Sequence, residues 1–358
     1  MRIAPPMKGW SLVRVSALAL VLLGALVAFH LWNGPRPLVL NLHGSSAAMG
    51  RDFADAAPRR LKLLKKHYLQ GIICRGDPEI YREYRRRAET WTPHIDPAHQ
   101  EELLAFARAA DLRVEGAVLA NAFIDMGLYT GACRSLVVDG AEGFYHAHNL
   151  DWDGLAGLAN WVICVVRRTP EDGRFRTVTL TVVGLLGALD VINEHGIALS
   201  INQSPGRTEG PVEPTFLRIR RIAEQCRSFE EARDALLAGP SMIPFHITLS
   251  SSSERRAAVF ESGGTFVERP MDDGVAGADN AVWGAVPGRC PVEQAARGAD
   301  IATVEDVKTV LRSPQILLDC NIYSVIVDVA GNRLHLASGR TPAAQFRYRQ
   351  FPLFVEEE

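Results

Sequence analysis

The residue most able to do chemistry in this sequence is Cys133. It follows two small residues, Gly131 and Ala132, and begins a short apolar run typical of a β-strand. A second strand-like run at 144–150 follows a Gly-rich turn and leads directly into Asp151. Alternating patterns separated by such a turn predict a hairpin. The hairpin would bring the carboxylate of Asp151 back towards the thiol of Cys133.

A cysteine in this setting has a specific route to nucleophilic activity. A thiol attacks only when deprotonated, so it needs a nearby base or a lowered pKa. No histidine lies near Cys133 in the pattern of a cysteine-protease signature. Cleavage between Ala132 and Cys133 would instead create a free α-amino group, whose reference pKa is about 8, and that group can act as base. Asp151 would hold this amine by a charge-assisted hydrogen bond.

Each of these residues also has an ordinary structural interpretation. A cysteine is more often a small buried hydrophobe than a nucleophile, and Asp151 suits a solvated turn. His146 and His148 alternate along one strand face and, with Asp151, suggest a zinc hydrolase as an alternative. An open zinc site needs at least three well-placed ligands, so the polar face of a strand is the simpler interpretation. We therefore predict no metal and no organic cofactor.

The composition indicates a folded protein with a large core. The chain has 358 residues, of which 47% are hydrophobic and 22% charged. The formal net charge of -2 gives no reason to expect nucleic acid as a partner. Six cysteines are scattered without a CxxC pair, which argues against a zinc ribbon and selects no disulfide pairing.

The first segment, 1–35, resembles a membrane anchor. Arg2, Lys8 and Arg14 precede an apolar run at 15–32, which is close to the roughly 20 residues that span a bilayer. We expect an uncleaved single-pass anchor with the catalytic region outside the cytoplasm. A cleaved signal peptide, followed by export, is the alternative.

The remaining chain changes character at Cys133. Helical patterns dominate 45–127, and strand-like runs dominate afterwards, interrupted by a few helices. Helices are expected at 47–69, 78–92, from 97, 115–126, 214–226, 229–237 and 303–312. Strands are expected at 38–42, 134–138, 144–150, 160–168, 177–184, 188–193, 197–202, 245–251, 256–261, 265–269, 323–328 and 333–337. This order favours an α+β fold with mostly antiparallel pairing.

Several segments together resemble a known family. Ala-Cys-Arg-Ser-Leu-Val-Val at 132–138 and His-Asn-Leu-Asp-Trp at 148–152 are similar to the penicillin acyltransferase-like branch of the N-terminal nucleophile (Ntn) hydrolases, which includes isopenicillin N acyltransferase and acid ceramidase. Segments 193–202 and 278–280 resemble further motifs of that branch. The resemblance implies a four-layer αββα sandwich, with a helical prosegment at 36–132 and a catalytic region at 133–358.

The resemblance also implies roles for individual residues. Cys133 would be the nucleophile and Asp151 would orient its amine. Asn280 resembles the side-chain donor of the oxyanion hole, and Asn202 a residue that binds the amine or the substrate carbonyl. His148 is assigned to the catalytic group, although many relatives have arginine there, which weakens the expectation of an anionic partner.

Substrate-binding positions are implied as well, at Arg134, Asn149, Trp152 and Asn193. Arg134 replaces the usual small hydroxyl residue, and its charge either lies near the thiolate or points away. The implied reaction transfers the acyl group of a small N-acyl compound, lipid-like in view of the anchor, through a thioester on Cys133 to water or an amine. The zinc hydrolase and a non-catalytic, membrane-tethered binding protein remain the alternatives.

Overall fold

The computed structural model describes residues 36–128, 131–204, 206–239, 245–262, 266–281 and 289–355. The predicted membrane segment at 1–35 lies outside these ranges. Among the helices within them, none is both long enough and apolar enough to cross a bilayer.

The strands of the described ranges form two sheets. They are β1 Leu38–Gly44, β2 Ala132–Asp139, β3 Phe144–Asp151, β4 Ile163–Pro170, β5 Thr177–Val182, β6 Asp190–Asn193, β7 Ile197–Gln203, β8 Phe245–Ser251, β9 Arg256–Ser262, β10 Phe266–Pro270, β11 Val275–Ala278, β12 Asn321–Asp328, β13 Arg333–Ser338 and β14 Arg349–Pro352. The first sheet has the order β1-β4-β5-β6-β7-β8-β9-β10, and the second β11-β2-β3-β12-β13-β14. All neighbouring strands are antiparallel except β1 and β4, which are parallel.

The helices cover the outer faces of the two sheets. They are α1 Ser46–Ala56, α2 Pro58–Leu63, α3 Pro78–Glu89, α4 Pro97–Ala109, α5 Val114–Ala122, α6 Asp153–Ala156, α7 Ala159–Val162, α8 Thr215–Gln225, α9 Phe229–Leu237, α10 Pro291–Arg297 and α11 Val304–Leu311. Helices α8 and α9 pack on β5 to β8 of the first sheet, while α10 and α11 pack on β11, β2, β3 and β12 of the second. Strand β2 contacts β7 and β8, so the sheets face each other. The α+β class predicted from the sequence is confirmed.

The space between the sheets is polar around Cys133. Side chains alternate along a strand, so every second residue of each inner strand points into this space. From the second sheet come Ser135, His146 and His148, and from the first Asp190, Ser200, Asn202, Thr248 and Ser250, all of them buried. Buried polar groups must satisfy one another by hydrogen bonds. The hydrogen bonds of this layer join strands that are distant in sequence, so they could not be predicted from the sequence.

Most predicted elements are found within one to three residues of their expected bounds, but the first helix is not continuous. Ala57 and Pro58 interrupt it, because proline lacks an N–H and its ring clashes with the preceding turn. The chain then continues from α2 into a π-helical segment, Leu64–Ile73. Strands β11 and β14 and helices α6, α7 and α10 were not predicted, and α7 occupies the start of the strand expected at 160–168. Within the described ranges all six cysteines are free thiols.

A buried ionic network joins the N-terminal helices to the later part of the chain. Glu102 on α4 binds Arg220 at 2.5 Å and Arg168 at 3.3 Å. Arg220 also binds Glu224 at 2.6 Å, and Glu224 contacts His99 of α4 at 2.8 Å. Burial favours a raised pKa for Glu102, but the charges of Arg220 and Arg168 outweigh it and lower the pKa. The helical segment is thus fixed to α8 by paired charges as well as by apolar packing.

Candidate active site

Cys133 lies near the start of β2, in the middle of the second sheet, and its side chain is buried. Its backbone N–H donates to Asn280 Oδ1 at 2.9 Å. The Nδ2 of Asn280 donates to the carbonyls of Gly131 at 2.9 Å and Gln203 at 2.6 Å. Asn280 follows β11, the strand paired with β2. One side chain therefore binds the backbone on both sides of Ala132, the position at which cleavage is predicted.

Arg134 is directed into this region. Its guanidinium donates to the carbonyl of Cys133 at 2.8 Å and to Asn280 Oδ1 at 3.1 Å. It also lies 4.0 Å from Asp151 Oδ2. The structure therefore places the charge of Arg134 beside the Cys133 peptide, which the sequence left undecided.

Asp151 ends β3 directly opposite Ala132 in the strand register. Its Oδ1 accepts a hydrogen bond from Asn321 Nδ2 at 3.0 Å, while Oδ2 is buried with no hydrogen-bond partner in the described part of the chain. Burial raises the pKa of Asp151 to about 7, against the lowering effects of Arg134 and Asn321. Asp151 thus has a free oxygen close to the predicted scissile peptide.

His148 faces the first sheet and has an anionic partner there. Its Nδ1 lies 2.9 Å from the carboxylate of Asp190 on β6. Asp190 also accepts hydrogen bonds from the hydroxyls of Tyr323 and, at 2.6 Å, Ser200. The sequence had weakened the expectation of an anion at this position, and that interpretation was wrong. The partner was missed because β6 lies far from β3 in the sequence.

His146 lies two residues earlier on the same strand face but has a different environment. Its ring nitrogens contact the hydroxyls of Ser250 at 2.7 Å and Ser200 at 2.6 Å. Burial lowers the pKa of His146 to about 4, so its ring is neutral at neutral pH. Asp151 extends from the opposite face of β3, away from His146 and His148. In the described ranges, no group of three or more potential ligands is arranged to bind a metal ion.

Asn202 and Asn149 occupy the interior beside the site. Asn202 Oδ1 accepts from Ser135 Oγ at 2.6 Å, and its Nδ2 donates to the carbonyl of Ala278 at 3.4 Å. Asn149 Nδ2 donates to the carbonyl of Leu311 at 3.0 Å, on the helical side of the sheet. None of these hydrogen bonds reaches Cys133, so both predicted roles stay predictions.

Trp152 connects the site to the N-terminal helices. Its Nε1 donates to Tyr68 Oη at 2.7 Å, and the two rings meet edge to face with centroids 5.8 Å apart. Trp152 also lines an apolar cavity with Leu61, Phe123 and Leu155. An apolar cavity beside a strand that carries polar groups is a common form of ligand site.

Asn193 lies at the far end of β6 from Asp190. The two residues are three positions apart, so their side chains emerge on opposite faces of the sheet. Asn193 Nδ2 donates to the carbonyls of Ala223 at 2.8 Å and Cys226 at 2.7 Å, and Oδ1 accepts two backbone N–H groups of the following turn. These bonds join the turn to the end of α8. The structure does not bring Asn193 to the other predicted site residues.

Four residues around the site were not identified from the sequence: Asp190, Gln203, Asn321 and Tyr323. Each comes from a strand that begins about forty or more residues after the end of β3. A polar residue inside an apolar run, such as Asp190 before Val191, was the signal available. A buried carboxylate requires paired partners, so that pattern alone marks a polar cluster.

Part of the chain is similar to a known family. Residues 138–271 match the family model described as acyl-coenzyme A:6-aminopenicillanic acid acyl-transferase. This match confirms, over that segment, the resemblance to the penicillin acyltransferase-like branch. No curated protein sequence matches the chain.

Solved structures that resemble this one share little sequence with it. An N-acylethanolamine-hydrolyzing acid amidase ortholog from Caenorhabditis elegans is 18% identical with a TM-score of 0.45, covering 62% of this chain and 100% of that one. Penicillin V acylase from Agrobacterium tumefaciens is 14% identical with a TM-score of 0.39, covering 57% and 82%. A conjugated bile acid hydrolase mutant from Clostridium perfringens is 11% identical with a TM-score of 0.42, covering 62% and 92%.

Proposed function

We propose that this protein is a cysteine-dependent Ntn hydrolase or acyltransferase with the αββα architecture of that class. It cleaves its own chain between Ala132 and Cys133. It then transfers the acyl group of a small N-acyl substrate through a thioester on Cys133 to water or to an amine. No cofactor takes part in this scheme. The name of the matched family model, an acyl-transferase, supports the reaction class.

The observation that carries the proposal is the arrangement around the Ala132–Cys133 peptide. Asn280 binds the backbone N–H of Cys133 and the carbonyl of Gly131, which fixes the scissile peptide between them. Asp151 lies opposite, with one carboxylate oxygen that accepts no hydrogen bond in the described ranges. Attack by the thiol on the neighbouring carbonyl requires such a fixed geometry, because correct placement of reacting groups supplies much of a rate enhancement. Once cleaved, Cys133 presents an amine to Asp151.

The apolar cavity next to Trp152 suggests the substrate class. Its walls combine residues from the N-terminal helices, such as Leu61 and Phe123, with residues of the later part of the chain. Trp152 directly follows Asp151, which is opposite Ala132 in the strand register, so this cavity begins at the end of β3 that carries Asp151. Such walls favour a hydrocarbon acyl group, because burial of apolar surface supplies most of the binding free energy. We therefore propose an N-acyl substrate with an apolar acyl chain.

Intact mass measurement with N-terminal sequencing tests the proposal. The purified protein is compared with a Cys133→Ala variant. We expect a chain that begins at Cys133 in the first sample and an uncleaved chain in the second. The same sequencing shows whether segment 1–35 is retained, as the proposed membrane anchor requires. The catalytic region is proposed to lie outside the cytoplasm with either outcome.

Hydrolysis of a panel of N-acyl amides then tests the reaction. We expect turnover that is abolished by Cys133→Ala and unaffected by a chelator. An uncleaved wild-type chain without turnover would refute the enzyme and favour a binding protein of the same fold. Turnover by Cys133→Ala that is lost with a chelator would favour the metal-dependent alternative through His146, His148 and Asp151.

A further inference from the structure

The side chains of Cys133 and His148 are neighbours on the inner face of the second sheet. In the register of β2 and β3, Cys133 is opposite Leu150 and Ser135 is opposite His148. His148 is therefore the diagonal neighbour of Cys133, a distance that long side chains can bridge. Nε2 of His148 is buried and has no hydrogen-bond partner in the described ranges. The Cys133 sulfur nevertheless lies close enough to favour the protonated form of this ring.

The opposite side of the imidazole is held firmly. Asp190 contacts Nδ1 at 2.9 Å, and Tyr323 and Ser200 donate their hydroxyls to the same carboxylate. A carboxylate on one nitrogen fixes the ring orientation and directs the other nitrogen at the nucleophile. Asp190 is ionised, because His148 and these donors outweigh the effect of burial and lower its pKa.

We propose that His148, positioned by Asp190, is the acid–base catalyst that exchanges a proton with the Cys133 thiol in the uncleaved chain. The inference rests on the proposed self-cleavage and adds the group that drives it. Asp190 is a positioning residue, because it acts on the sulfur only through the imidazole.

The charges around the pair support this role. Burial disfavours the imidazolium of His148, but Asp190 and Cys133 raise its pKa to about 10. The nearest other ionisable groups on β3 are His146, which is neutral, and Asp151, whose pKa is raised to about 7. A protonated imidazole beside the sulfur stabilises the thiolate in the way that cationic neighbours generally do.

A base other than the α-amine is needed for the first cleavage. Until the chain is cut, the nitrogen of Cys133 belongs to a peptide bond and is not basic. In the thiolate–imidazolium pair the thiol proton is already on His148 Nε2, and the sulfur attacks the carbonyl carbon of Ala132. The C–N bond of the Ala132–Cys133 peptide breaks, and Nε2 returns its proton to the departing nitrogen. Water then hydrolyses the thioester, which releases the Ala132 carboxylate and the free thiol of Cys133.

The test measures the cleavage rate and the pH dependence of Cys133 alkylation after cell-free synthesis. Iodoacetamide labelling is read by mass spectrometry on the peptide that spans Ala132 and Cys133, so only uncleaved chains are compared. The variants are His148→Gln and Asp190→Asn, with Asp190→Glu as the conservative replacement. His335→Gln is the matched control, since His335 is a buried imidazole on β13, two strands from β3.

We expect a nearly constant alkylation rate between pH 6 and 8 in the wild type. In His148→Gln the rate should rise about 100-fold over that range, as for an ordinary thiol that ionises near pH 8.5. Cleavage should slow by roughly 10²-fold or more. Asp190→Asn should shift both readouts in the same direction, Asp190→Glu should restore them in part, and His335→Gln should match the wild type.

The pair and the proposed enzyme fail in distinguishable ways. A folded His148→Gln protein that cleaves at the wild-type rate, or keeps a constant alkylation rate, overturns the inference. If His148→Gln does not fold, Asp190→Asn decides by the same profile. A wild-type chain that never cleaves refutes the proposed function, while its alkylation profile still shows whether the thiolate–imidazolium pair exists.

Discussion

Replacing Glu102 with glutamine is expected to destabilise the whole protein. Glu102 is completely buried and is shared by two buried arginines, Arg168 and Arg220. Removing its charge takes one carboxylate partner from these two arginines, which are buried away from water. Loss of one partner from a buried ion pair typically costs about 3–5 kcal/mol. Because glutamine preserves the volume and one acceptor oxygen, the lower end, about 3 kcal/mol, is the expected value.

The consequence is measurable as a change in melting temperature. In a folded chain of this size 1 kcal/mol corresponds to roughly 1.5 °C, because the entropy of unfolding grows with chain length. Glu102→Gln should therefore lower the Tm by about 4–5 °C at pH 7, as followed by circular dichroism. The pKa of Glu102 is lowered in the folded state, so its contribution is present above about pH 4.3 and is lost as the pH falls.

Glu101→Gln provides the matched control. Glu101 is the preceding residue of the same helix and is exposed, so the same chemical change should move the Tm by no more than about 1 °C. Equal effects of the two variants would refute the reasoning that the buried network fixes the N-terminal helices. So would a Tm of Glu102→Gln within about 1 °C of the wild type.

Two further predictions concern the walls of the site. In a Cys133→Ala background, Asp151→Asn should be relatively more stabilising at pH 8 than at pH 5, measured by Tm. The folded-state pKa of Asp151, about 7, exceeds its unfolded value, so the stability that Asp151 contributes at low pH is lost as the pH rises through 7. An equal Tm difference between the two proteins at both pH values would contradict this. Trp152→Ala should lower the free energy of unfolding by about 3–5 kcal/mol and reduce kcat/KM most for substrates with long acyl chains. Trp161→Ala is the control, because Trp161 is half exposed. A uniform loss of kcat/KM for short and long chains would argue against the cavity as the acyl site.

The sequence predicted the parts of the fold that local patterns determine. The β2–β3 hairpin, the bounds of α9 and the strand bounds from β7 to β9 agree with the structure to within a residue or two. The interruption at Pro58 was predictable from the same rules and was missed. Strand β11 was not predicted because Val275–Ala278 is short and contains glycine, and its pairing with β2 supplies the order that its own sequence does not.

The candidate site likewise has a part that local sequence predicted and a part that depends on distant strands. Cys133, His148 and Asp151 lie on one hairpin, so their proximity followed from local spacing. Asp190 and Tyr323 reach His148 only because β6 and β12 are brought to β3 by the packing and pairing of the sheets. Spacing along the chain carries no information about such contacts. The role of His148 could therefore not be derived from the residues of the hairpin alone.

Two buried carboxylates of the site have pKa values shifted in opposite directions, and this difference suggests an order of events. Asp190 is ionised by three donors, whereas Asp151 has one donor and a free oxygen, with its pKa raised to about 7. A free buried oxygen is costly unless a partner arrives. The proposed cleavage supplies one, because the new amine of Cys133 is a cation beside Asp151. His148 would thus serve the uncleaved chain and Asp151 the cleaved one, so the variants at these two residues should block successive steps.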